Sequence, residues 1–129
     1  HYLWRGNLPT RAVDIAEAMR GFDCVFAHGG KSFITILYSD ASALPEGCEL
    51  FQLSVDGRDL GRTFPSKLSV VGDIERSLSV LNDLIRKRIA PREAEYAAAG
   101  NAARLEFAAS RRALDQRASE LADLPDIHP

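Results

Sequence analysis

Spacing of apolar positions divides the chain into short apolar runs and amphipathic stretches that alternate. After Thr10, whose hydroxyl suits an N-cap, Ala12, Ile15, Ala16 and Met19 recur at helical spacing, and Gly21 stands where such a helix would stop. This predicts a short amphipathic helix. Cys24-Val25-Phe26-Ala27 is then a continuous apolar run ending in His28-Gly29-Gly30, the pattern of a strand buried on both faces followed by a tight turn. Within it Cys24 is expected to behave as a small buried hydrophobe.

Lys31 to Tyr38 is apolar and β-branched without clear periodicity, so strand and short helix both stay open there. Leu44-Pro45-Glu46-Gly47 is turn chemistry; it leads into a second strand over Glu49 to Val55, closing at Asp56-Gly57. Leu68-Ser69-Val70-Val71 reads as a third strand. Asp73 then suits the N-cap of a helix whose Ile74, Leu78, Leu81 and Ile85 form one stripe able to cover the sheet, with Arg86, Lys87 and Arg88 favouring its C-terminal dipole. Beyond Pro91 the composition shifts to Ala, Arg and Glu, and Tyr96, Ala99, Ala103, Phe107, Ser110, Leu114 and Leu121 share one face of a long helix. Leu124 to Pro129 marks a proline-rich boundary. Strands alternating with helices predict an α/β fold: a Rossmann-like parallel sheet with flanking helices, followed by a long C-terminal helix.

With 129 residues, 46% of them hydrophobic, the chain can bury the core of one domain. Interspersed charges giving a net charge of -2 argue against nucleic acid or an anionic membrane as partner. No apolar stretch approaches the roughly 20 residues of a membrane span. Cys24 and Cys48 lack metal-ligand spacing and fit a reducing, cytoplasmic setting. The chain opens on His1 rather than Met, in loop-like sequence, which raises the expectation of a segment excised from something longer.

Candidate chemistry gathers after the first strand. Gly30-Lys31-Ser32 resembles the end of a phosphate-cradling loop, but the Gly needed five positions earlier is Val25, inside the strand, so the loop is too short to wrap a triphosphate. Gly29 and Gly30 suit a tight turn or a close backbone approach to a ligand at the sheet's carboxyl edge. His28 has no Ser, Cys or carboxylate beside it in a catalytic arrangement. Asp56 stands where an acid would hold a ribose hydroxyl, without the Gly-x-Gly-x-x-Gly loop that should precede it; capping of the turn at Gly57 explains it more simply. Asp73 is accounted for as a helix cap, and Arg58 and Arg62 as solvated loop charges.

The order of elements carries more than any one motif. Trp4-Arg5-Gly6-Asn7-Leu8-Pro9, a helix, Phe22 to Gly29, Leu44-Pro45-Glu46-Gly47, a strand ending Val55-Asp56, Leu60-Gly61-Arg62, and Val71-Gly72-Asp73 opening a helix follow one another collinearly. This succession, over residues 1 to 89, resembles the central domain of thiamine-diphosphate-dependent enzymes, the group that includes benzoylformate decarboxylase and acetolactate synthase.

The resemblance implies that residues 1–89 are the latter half of that domain and residues 90–129 a helical linker toward a diphosphate-binding domain. It implies a parent lyase or transferase acting on a 2-oxo acid, a homo-oligomer using thiamine diphosphate and magnesium, with this part non-catalytic and holding neither. Some members hold FAD or ADP in this domain, at positions matching Gly29, Gly30, Lys31, Asp56 and Asp73 here. The FAD-type loop usually carries an Asp-Arg pair that Ser32-Phe33-Ile34-Thr35 does not supply, so a structural role is expected, with an FAD- or ADP-binding module or a self-associating module as alternatives.

Overall fold

A computed structural model describes residue 4 and residues 6–31, 33–36 and 38–122. The expectations for Ser32, for the boundary at 124–129 and for the first residues around Arg5 lie outside the described residues. The chain divides into two compact units, residues 7–85 and a second that groups residues 1–6 with 86–129.

In the first unit the apolar runs form three parallel strands in the order β1-β2-β3: β1 Cys24–His28, β2 Glu49–Ser54 and β3 Leu68–Val71. Cys24 to His28 stand opposite Glu49 to Leu53, and Phe51 to Ser54 opposite Leu68 to Val71. Helix α1, Ala12–Ala18, covers one face. Its Ala12 and Ile15, with Met19 just beyond, bury against Leu50, Ala43 and Phe33, and Val25, Ala27 and Cys48 pack around them. Helix α2, Ile74–Ile89, lies over the other face. There Phe26, Phe51, Leu53, Leu68 and Val70 face Val80, Leu81 and Leu84 across a groove of about 600 Å³.

Several expectations are corrected. Arg11, not Thr10, is the N-cap of α1, and it makes no side-chain cap bond; Asp14 in the first turn supplies the favourable charge instead. β1 is not buried on both faces: exposed and half-buried residues alternate along it, and Cys24 is exposed. An apolar run tells that a strand has apolar neighbours available, not that a helix is packed over both of its sides. β2 stops at Ser54, leaving Val55 exposed. The described residues of 31–38 form neither strand nor helix.

Buried polar groups in the sheet are all engaged. Gln52 accepts the Gly61 N–H at 2.7 Å, which ties the β2–β3 connection to the sheet, and the Ser54 hydroxyl accepts the Asp56 N–H at 3.1 Å. Leaving either acceptor unpaired would cost about 1–3 kcal/mol.

In the second unit a 3-10 turn at Ala90–Arg92, with Pro91 where its missing N–H is harmless, leads into α3, Glu93–Ala122. Thirty residues of helix span about 45 Å. Trp4 packs here, with the Arg111 guanidinium 5.4 Å from its ring centroid and Phe107, Leu114 and Ala118 alongside.

Candidate functional site at the carboxyl edge of the sheet

Parallel strands deliver their following loops to one edge, and open α/β sheets bind ligands there. The β1 exit is made of Gly29 and Gly30, with φ of +72° and +71°, a left-handed pair that residues with a Cβ adopt only at a cost. Gly29 also meets a neighbour: a Cβ there would lie 3.2 Å from Ile74 Cδ1 at the start of α2, whereas one at Gly30 would meet nothing. Gly29 is thus required by turn and packing together.

Phe33 follows with φ +56°, the left-handed region in a residue that rarely enters it. Its ring is buried and stands edge-on to Phe64, centroids 5.7 Å apart, so core packing holds the strained backbone. Beside it, Lys31, Ile34, Thr35, Asp59, Arg62 and Thr63 line a shallow pocket of about 290 Å³. Lys31 and Arg62 thus share one small depression of mixed polarity.

Asp56 caps the 3-10 turn Gly57–Asp59, accepting the Arg58 N–H at 2.9 Å. The Arg58 guanidinium closes over both carboxylate oxygens, Nε at 3.0 Å from each and Nη2 at 2.6 Å from Oδ2. This fork, with the backbone bond second, holds the Asp56 carboxyl below the usual aspartate range, and Arg58 rises in turn through the same contact. Arg58 is therefore solvated but paired, and the Asp56 carboxylate is engaged with its own turn. Asp73 accepts the Arg76 N–H at 2.9 Å while its carbonyl accepts from Ser77, which makes it the N-cap of α2.

Of the five residues singled out at this edge, the structure puts Gly29 against the helix that Asp73 caps, and Lys31 into the pocket with Arg62. Asp56 is engaged with its own turn. The reading from sequence missed Thr35, Asp59, Arg62 and Thr63 as pocket residues; Arg62 alone had a signal, the Leu60-Gly61-Arg62 tract. Among the described residues no three His, Cys, Asp or Glu gather where a cation could sit. No helix among them is long and apolar enough to cross a membrane.

No family profile matches the chain. It is 30% identical over 91 residues to benzoylformate decarboxylase of Pseudomonas aeruginosa, a stretch that takes in 70% of this chain and 17% of that protein. Among solved structures it superposes with TM-score 0.57 on a thiamin diphosphate-dependent enzyme of Mycobacterium smegmatis, at 32% identity, over 65% of this chain and 16% of the other. It superposes equally, at 25% identity and 64% coverage, on the thiamine diphosphate-dependent 4-hydroxybenzoylformate decarboxylase of Rhodococcus jostii, again spanning 16% of it. The chain spans about a sixth of the length of these relatives.

Proposed function

We propose that this chain, related over about two thirds of its length to one section of thiamine-diphosphate-dependent enzymes, is the non-catalytic scaffold of such an enzyme. In this reading the parent is a decarboxylase or carboligase of 2-oxo acids, and the three-stranded unit and α3 space and support the parts that do the chemistry. The observation that carries it is the engagement of the candidate acids. Asp56 pairs with Arg58 and Asp73 caps α2, so the structure gives each of the two acids a local structural partner.

Magnesium with a diphosphate needs several oxygen ligands around one point, and the described residues do not offer them. No step through thiamine diphosphate is therefore assigned to this chain. Titration calorimetry of the chain with thiamine diphosphate and magnesium is expected to show no heat of binding, and benzoylformate is expected to remain intact in its presence. A saturable binding isotherm would overturn the scaffold reading.

A second reading is favoured by one observation, the pairing of Lys31 and Arg62 in the pocket at the strand ends. Two cations on a mixed-polarity rim suit the phosphates of ADP or FAD, with Gly29 and Gly30 supplying the close backbone. Against it stand the pocket's volume of about 290 Å³, at the low end of ligand sites, and the occupied carboxylate of Asp56. A rise in Tm with millimolar ADP or FAD, absent in Lys31→Ala, would favour this reading; no shift would remove it.

A further inference from the structure

We infer that the depression shared by Lys31, Asp59 and Arg62 is a binding site for a free α-amino acid with a small apolar side chain. This goes beyond the scaffold reading and stands whether or not that reading does; with the nucleotide reading it shares only the pocket. Charge arrangement carries it. Lys31 and Arg62 bring positive charge, and Asp59 negative charge, to one pocket of about 290 Å³. Opposite charges free to approach within about 4 Å form ion pairs, as Arg58 does with Asp56 in the same connection. Among the described residues Lys31, Asp59 and Arg62 form none, with each other or with any neighbour. Opposite charges thus share the pocket without meeting.

Both walls are held in place without a ligand. On one side the buried Phe33 ring, edge-on to Phe64 at 5.7 Å, fixes a backbone at φ +56° directly before Ile34. On the other, Asp59 ends the 3-10 turn that Asp56 caps, and Gly61, next to Arg62, donates its N–H to Gln52 at 2.7 Å. A site set in advance spends less of its binding energy on ordering itself.

The charge pattern selects the ligand. A simple anion would satisfy Lys31 and Arg62 but set its own charge against Asp59, and a simple cation would do the reverse. A zwitterion answers both: its carboxylate takes the planar fork of Arg62 with the Lys31 ammonium beside it, and its ammonium goes to Asp59. The half-buried Thr35 offers a hydroxyl to the carboxylate. Ile34, 64% exposed on the rim, offers an apolar surface to the side chain. The pocket's size, at the low end of ligand sites, suits a molecule of this kind better than a nucleotide. Solvent screens the exposed cations, so affinity in the millimolar range is expected.

NMR titration of the whole isotope-labelled chain with L-leucine tests this. The amides of Thr35, Asp59 and Arg62 are expected to shift together and to saturate. Leucinamide, which lacks the carboxylate, and isocaproate, which lacks the ammonium, are expected to bind about tenfold more weakly or worse, as is leucine to Arg62→Ala or Asp59→Asn. The two analogues act on the unmodified chain, so the outcome does not hang on a variant folding. Absence of saturable shifts at these amides, isocaproate binding as tightly as leucine, or a folded Asp59→Asn that binds leucine unchanged would each overturn the inference. ADP separates it from the nucleotide reading. No ADP binding where leucine binds removes that reading alone, whereas ADP displacing leucine from the same amides at lower concentration overturns this one.

Discussion

The two faces of the sheet are covered by helices of very different promise. α1 has seven residues and no side-chain cap, yet it buries Ala12 and Ile15 and, just beyond it, Met19 in the cluster that holds the first unit together. α2 has 16 residues, a capping Asp73 and a clear apolar stripe, yet none of its residues is buried. Of the apolar strand residues lining the groove opposite α2 only Leu53 is buried, and Leu84 on the helix is 58% exposed. Amphipathicity fixes which side of a helix faces the sheet; burial is decided by how many neighbours close around it. The α1 face gains Phe33, Ala43, Leu44 and Phe64 from loops, and among the described residues the α2 face gains no comparable cover.

The largest test of that contrast is truncation on each side. Ile15→Ala, at a residue only 1% exposed, is expected to cost about 2–5 kcal/mol in urea unfolding. Leu84→Ala is expected to stay within about 0.5 kcal/mol. Comparable losses at the two would show that the groove under α2 closes in solution.

Next in size is Gly29→Ala, which must adopt a positive φ and press on Ile74. It is expected to cost about 1–2 kcal/mol from the backbone alone, with a further loss from the contact. Gly30→Ala shows the backbone part alone, and Gly29→Ala with Ile74→Val should recover most of the difference, because Val lacks the Cδ1 that is struck. Asp73→Ala removes the cap of α2 and is expected to cost about 1 kcal/mol by the same unfolding assay.

The smallest effect is read by the thiols, one on each side. Burial and then the neighbouring Asp23 charge raise both Cys24 and Cys48 above the ordinary thiol range. A raised thiol leaves less thiolate at any given pH, so alkylation by iodoacetamide should gather speed at higher pH than for a free thiol. Cys24, exposed, should label before Cys48, which packs against the α1 cluster. The reverse order would show that Cys24 is covered and Cys48 open in solution.

Much of the element order was legible in the sequence, because it rests on local chemistry. Leu68–Val71 is bounded by its own polar flanks, and Asp73 announces the start of α2 in three dimensions as it does in one. What was not legible depends on partners far along the chain. That Cys24 is exposed depends on what reaches over the start of β1 from elsewhere in the chain, and that Phe33 bends into left-handed backbone depends on Phe64. Trp4 joins α3 through Arg111, a contact separated by most of the sequence. At the candidate site the glycines and acids were visible, but the reciprocal grip of Arg58 on Asp56 was not, because a loop charge gives no sign of where its guanidinium will turn.

α3 runs from Glu93 to Ala122 as one uninterrupted helix, and this makes it a device that counts residues. Each position added or removed within it rotates one end against the other by about 100° and shifts it by about 1.5 Å. A single insertion would therefore turn one end of α3 to a different heading against the other, while an insertion of seven would nearly restore the heading and lengthen the helix by about 10 Å.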